Sequence, residues 1–363
     1  MAISSCKKLS GHWTALVLWF SNNQRQLPWR ENRDPYRIWI SEVMLQQTQV
    51  ETVIPYFKKF LRAFPTMKHL AQASEDEVFR LWQGLGYYRR ASALHRAAKI
   101  IWQRHGPVFP SMPADLQGIP GLGRYTRNAI LSQAFDLPLP IVEANSKRVL
   151  ARFFAWKAPL DSTQSGKFLW DAAEKVLPRE NPGQFNQALM ELGALVCTKN
   201  PDCGSCPLAG QCLARIRGLQ NQIPAVKKKP KPLAVREAAI VLVSRGKVLI
   251  GRRPDGGRWE RMWEIPHGEL GEKENASSAA ERIARDLTGI RPGKPEAIGK
   301  HRHAVTRYRI DVELFQAAAK GKSRLGFYQE FAWVHYEELQ AYAMGSAQRR
   351  LLSMWHQRHN GME

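Results

Sequence analysis

The strongest constraint on the fold is a break at residues 218–236, where Lys227-Lys228-Lys229-Pro230-Lys231-Pro232 concentrates like charges and prolines. Clustered lysines repel one another and each proline removes a backbone donor, so the stretch reads as an extended linker rather than part of a core. The 363 residues therefore divide into a segment 1–217 and a segment 237–363, each with enough apolar content, at 44% overall, for its own core.

The apolar period differs on the two sides of that linker. From residue 10 to about residue 217 the chain reads as almost wholly helical, with Trp13, Leu16, Val17 and Phe20 spaced for one helix face. Ser74 and Glu77 form a capping-box pattern ahead of Val78, Phe79, Leu81 and Trp82, and Gly84 is placed to close that helix. Beyond the linker, Ala239 to Val243, Lys247 to Ile250 and the alternating Tyr308 to Leu314 read as strands, while Ala276 to Leu287 and Ser346 to Trp355 read as helices. The expected class is a multidomain chain, mainly α and then α+β.

With 54 Lys+Arg against 32 Asp+Glu, a formal net charge of +22, the surface field favours a polyanion, and nucleic acid is the leading candidate. No run of about eighteen apolar residues is present, and no apolar block follows the lysines of residues 1–9. A membrane span and a secretion signal are therefore not expected, and the cytoplasm, in association with the nucleoid, is the expected location. Cys6 stands alone, which suits a reducing compartment.

Two local patterns carry chemistry. Cys197, Cys203, Cys206 and Cys212, spaced Cys-x5-Cys-x2-Cys-x5-Cys, could wrap four thiolates around one inorganic centre. An iron–sulfur cluster is the reading; zinc is the rival, although structural zinc more often uses two separated pairs, and four unrelated reduced cysteines are the plainest alternative. Gly118-Ile119-Pro120-Gly121-Leu122-Gly123, ahead of a helix from Arg124, is a glycine-punctuated hairpin within a helix-hairpin-helix at about 113–135, and it leaves backbone N–H groups free for a phosphate. An ordinary tight turn is the plainer reading of those glycines.

Together these features resemble the endonuclease III superfamily of helix-hairpin-helix DNA glycosylases, and within it the adenine DNA glycosylase family. Leu27-Pro28-Trp29-Arg30, Ser41 to Val50, Gly84-Leu85-Gly86-Tyr87-Tyr88 and Phe185 to Met190 carry the resemblance, which covers nearly the whole chain. It implies a monofunctional enzyme of base excision repair that removes adenine opposite 8-oxoguanine or guanine in double-stranded DNA, acting as a monomer with one 4Fe–4S cluster at residues 197–212.

The resemblance also distributes roles. Glu42 would protonate the flipped adenine, and its neighbours Ile40, Val43 and Met44 suit a carboxyl with a raised pKa. A second carboxylate would stabilise the sugar cation; the family's aspartate is Glu143 here, one methylene longer, with Asn145 to orient it or to cap the following helix. Tyr125 stands where strand-cleaving relatives carry the Schiff-base lysine. Gln47 and Tyr87 would wedge into the base stack, Gln187 would read the adenine, Arg30 would line the pocket, and Gly121 and Gly123 would meet the backbone.

The C-terminal segment resembles a Nudix domain with a degenerate box. Gly268, Glu274, Arg282 and Gly289 keep the spacing, but Ile283 and Leu287 occupy metal-ligand positions and only Asp286 remains. It would read the lesion rather than hydrolyse nucleotides, through Val305-Thr306-Arg307, where Thr306 retains a hydroxyl and Arg307 replaces histidine. The cluster loop also departs from the family, with a first spacing of x5 in place of x6. A glycosylase for another mismatched base, such as thymine opposite guanine, and a non-catalytic mismatch-binding protein are the competing readings; a nucleotide pyrophosphohydrolase is disfavoured by Ile283 and Leu287.

Overall fold

The computed structural model describes residues 10–225, 232–256, 259–305, 307–321 and 323–360. In chain order the helices α1 (Ser10–Asn23), α2 (Pro35–Leu45), α3 (Val50–Ala63), α4 (Met67–Gln72), α5 (Glu75–Trp82), α6 (Arg89–His105), α7 (Arg124–Phe135), α8 (Ala144–Phe153), α9 (Thr163–Val176), α10 (Pro182–Leu195) and α11 (Leu213–Ile216) come first. There follow β1 (Leu233–Ser244), β2 (Lys247–Arg252), β3 (Trp263–Glu264), β4 (His267–Glu269), α12 (Ala276–Thr288), β5 (Arg291–Pro292), β6 (Glu296–Val305), β7 (Tyr308–Lys320), β8 (Glu330–Val334) and α13 (Ser346–Asn360). The chain forms two compact units, residues 1–73 with 93–228, and residues 74–92 with 229–363. The expected lysine-proline linker, Lys227 to Lys231, lies outside the described residues.

In the first unit α10 is the central helix. It packs against α1, α7 and α8, and α2 packs against α7. Trp13, Leu16 and Phe20 of α1 bury one face in a core shared with Val149, Leu150, Phe185, Leu189 and Leu192, so the spacing read from the sequence is the buried stripe. Helix α2 begins on Asp34, whose carboxylate accepts the Tyr36 amide at 2.9 Å, with Pro35 in the first turn, where its missing donor costs nothing. Ahead of α7 the hairpin consists of hydrogen-bonded turns from residue 113 rather than a first helix. Gly118 and Gly121 both sit at φ 76°, which L side chains rarely adopt.

In the second unit the central strands β1 and β7 run parallel from Leu233↔Tyr308 to Val243↔Ala318. Antiparallel β2 and β4 pair with β1, and β5 and β6 with β7; β2 also takes β3 and β8. Both faces are covered, because Ala239, Val241, Ile310, Val312 and Leu314 meet Leu351, Leu352 and Trp355 of α13. On the other face Ala238, Ile240, Leu242 and Phe315 meet Ala279, Ala280 and Ile283 of α12. Burial on two sides explains why Ala238 to Val243 of β1 read as an unbroken apolar run rather than an alternation. Helix α5 starts on the expected capping box, Ser74 and Glu77 each bonding the other's backbone, and Gly84 follows at φ 102°. Arg261 pairs with Glu75 at 2.9 Å, which ties residues 74–92 to this unit.

Candidate active site

Helices α2, α7 and α8 bring three of the sequence-selected side chains together. Glu42, on the buried face of α2, is only 6% exposed, so it is not the solvent-facing helical glutamate that its position would ordinarily give. Its Oε2 accepts the Tyr125 hydroxyl at 2.6 Å, and its Oε1 accepts the Gln133 amide at 2.9 Å. Burial pushes the Glu42 carboxyl above the ordinary carboxylate range. The two hydrogen bonds and the charge of Arg30 pull it partly back, whereas Glu143 adds to the rise.

Tyr125 and Gln133 lie eight residues apart on one face of α7, which is how one helix holds both oxygens of the carboxyl. Burial first, and then the negative charges of Glu42 and Glu143, raise the Tyr125 phenol well above its usual range, so it remains a donor. Glu143 is the N-cap of α8 and accepts the amides of Asn145 and Ser146 at 2.8 and 2.7 Å. Burial raises its pKa, while the helix amides and Arg148 act in the opposite direction. Asn145 is therefore not the cap. Its backbone bonds Glu143, and its side-chain oxygen accepts from Arg148 Nη2 at 2.9 Å.

Gln133 also lines a cavity of about 240 Å³ with Trp29, Arg30, Ile38, Gln184 and Gln187. Arg30 is fixed there by Glu191, a carboxylate with 1% of its side chain exposed and both oxygens bonded by Arg25 and Arg30. Burial opposes the charge of Glu191, but these hydrogen bonds outweigh it and hold its pKa at about 2. Gln133 and Glu191 were not singled out from sequence. The signal for Glu191 was a lone carboxylate set among Leu189, Met190 and Leu192 in an apolar helix.

Gln47 and Tyr87 share an unusual backbone, with φ 58° and 50°. Side chains other than glycine are costly in that region, and such residues cluster at functional positions. Tyr87 is 45% exposed, so it is not a core aromatic. Gly121 approaches Ala93, where an added Cβ would stand 3.1 Å from the alanine Cβ. Gly123 is the N-cap of α7.

The expected 4Fe–4S centre, and with it the iron–sulfur loop in the expected fold class, must be corrected. Among the described residues no group of three or more His, Cys, Asp or Glu side chains is gathered to hold a metal ion, and Cys197, Cys203, Cys206 and Cys212 are free thiols. Cys197 is part of the core with Leu150, Leu189 and Leu208, and Cys206 and Cys212 pack against it. Cys197 Sγ accepts from Arg152 Nη1 at 3.3 Å. Burial, with a smaller contribution from the other cysteines, pushes the Cys206 thiol up to about 11.

In the second unit Ile283 is buried in the core and Leu287 packs against it. Glu274 is paired with Arg282 at 2.7 Å, so the degenerate box is an apolar helix face with an ion pair at its edge. Arg307 donates to the Tyr308 hydroxyl at 3.1 Å, and Thr306 lies outside the described residues. Among the described residues no helix is long and apolar enough to cross a membrane.

The HhH-GPD superfamily base excision DNA repair protein family matches residues 40–175, and the NUDIX domain family matches residues 238–354. An adenine DNA glycosylase of Buchnera aphidicola subsp. Schizaphis graminum is 38% identical over 258 residues, covering 70% of this chain and 74% of the relative. That of Mus musculus is 30% identical over 401 residues, covering 95% of this chain and 78% of its own. Among solved structures, a thermostable thymine-DNA glycosylase matches with a TM-score of 0.53 at 26% identity, covering 58% of this chain and 98% of that one.

Proposed function

Since the chain belongs to the adenine DNA glycosylase family, whose enzymes hydrolyse N-glycosyl bonds in base excision repair, we propose that it removes adenine opposite 8-oxoguanine or guanine and does so without cutting the strand. The observation that carries this reading is the buried Glu42, held by Tyr125 and Gln133 beside the cavity. A carboxyl whose pKa is raised by burial keeps its proton at higher pH than an exposed one, as a general acid requires. Adenine extruded from the duplex enters the cavity, where the amides of Gln133 and Gln187 offer both donors and acceptors to a purine edge.

Glu42 gives its proton to a ring nitrogen of adenine, and the electron pair of the glycosidic bond leaves with the base. The sugar is left as a cation. Glu143, close enough for its charge to act on Glu42, stabilises that cation as an anion until water adds to the sugar and gives up a proton to solvent. Tyr125 supplies no amine, so no Schiff base forms and no strand cleavage follows. Gln47 and Tyr87 fill the gap in the base stack, the glycine hairpin holds phosphate, and the C-terminal unit reads the opposite base through Thr306 and Arg307. The enzyme acts on double-stranded DNA as a monomer.

Purified protein incubated with duplexes carrying adenine opposite 8-oxoguanine, adenine opposite guanine, or thymine opposite guanine tests this. Adenine release is expected from the first two, with the abasic strand intact until alkali is added. Release of thymine with adenine untouched would refute the substrate, and borohydride trapping of a stoichiometric lysine-linked adduct would refute the monofunctional chemistry.

A further inference from the structure

We propose that Glu191 is a positioning residue for base excision, setting the orientation of the Arg30 guanidinium in the wall of the base cavity. The inference rests on assigning that cavity to adenine. Glu191 takes Arg30 Nη1 on Oε1 at 3.2 Å and Arg30 Nη2 on Oε2 at 3.0 Å, a two-pronged grip that fixes the plane of the guanidinium as well as its place. Arg30 Nη1 also donates to the Arg25 carbonyl at 3.2 Å, and the Phe20 ring centroid lies 5.3 Å from its guanidinium carbon. Arg25 completes the clamp. Its backbone amide and Nε reach Oε1 at 3.0 and 2.9 Å, and its Nη2 reaches Oε2 at 2.9 Å.

Glu191 does not line the cavity, whereas Arg30 and Gln187 do. Gln187 lies one turn before Glu191 on α10, so a single helix presents an amide to the base and, four residues on, the anchor of the opposing cation. A carboxylate this deeply buried needs strong partners to hold its charge. One arginine would satisfy it; the second one faces the cavity. An arginine released from such a grip would sample many rotamers, and misplacing a substrate-positioning group by about 1 Å costs on the order of a hundredfold in rate.

The test is a double-mutant cycle read by single-turnover excision and by thermal melting of the full chain. Arg30→Ala is expected to slow excision, and Glu191→Gln to slow it by about tenfold to a hundredfold. Glu191→Gln should add little in the Arg30→Ala background, because its effect on chemistry passes through Arg30, yet it should still lower the melting temperature there. Glu191→Asp keeps the charge and should recover part of the rate; it also serves if the glutamine variant does not fold. The inference is overturned if the Glu191 variants slow excision by the same factor with and without Arg30, or if they excise as wild type while Arg30→Ala is impaired. If Arg30→Ala itself excises normally, the cavity assignment falls, and the inference with it.

Discussion

At the residue scale, the proposed chemistry turns on the buried Glu42 carboxyl. Glu42→Gln preserves shape and one accepting oxygen but has no acidic proton to give. Excision is expected to fall by about a hundredfold to ten-thousandfold in single-turnover assays, with mismatch affinity retained. The pH dependence follows from the direction of the shift. Burial raises the Glu42 pKa, so the acid form persists above the ordinary carboxylate range and the rate should decline as pH rises through the raised value. A basic limb no higher than that of a free glutamate would contradict the assignment. At position 143 charge should outweigh length. Glu143→Gln should suppress excision strongly, and Glu143→Asp, which keeps both the anion and a good N-cap residue, should stay active or be mildly impaired. Normal rates in the glutamine variant would leave Glu143 only its capping role on α8.

At the scale of elements, the site is a meeting of helices that approach closely because of glycines on α10. A Cβ on Gly193 would stand 2.6 Å from the Asn145 Cβ and 2.8 Å from the Asn145 carbonyl oxygen, at the first turn of α8. Gly193→Ala is therefore expected to push that turn away and to move Glu143, its N-cap. A loss of about 1–3 kcal/mol in denaturant unfolding should accompany slower excision. Unchanged stability and rate would mean that α8 tolerates displacement. The same helix carries Gln187 and Glu191, so α10 links the cavity wall to the first turn of α8, which Glu143 caps.

At the scale of the whole molecule, the +22 charge is expected to govern affinity for a duplex. Phosphate contacts release counterions, so affinity for any duplex should fall steeply with salt. A protein making roughly six to ten such contacts loses about a thousandfold to a hundred-thousandfold in affinity between about 50 and 200 mM salt. A nearly flat dependence in a titration with fluorescent duplex would show that the charge lies away from the DNA. Discrimination between 8-oxoguanine and guanine should be compared at fixed salt, where this sequence-independent part of binding is held constant.

Sequence alone determined the helical character of the first region, the apolar stripe of α1, the capping box of α5 and the strands β1, β2 and β7. All are set by local periodicity and by residues within a few positions of one another. The motif around Glu42 was legible as well. Only tertiary packing decided its environment, since Tyr125 and Gln133 reach it from 83 and 91 residues away, and burial, which shifts its proton affinity, belongs to no single segment. Glu191 escaped notice because its partners lie 161 and 166 residues upstream. The cysteines show the converse. Their spacing pointed to a metal centre, yet spacing fixes only how far thiols can travel along the chain, whereas in the fold Cys197, Cys206 and Cys212 pack against the helical core and no metal-holding group is gathered among the described residues.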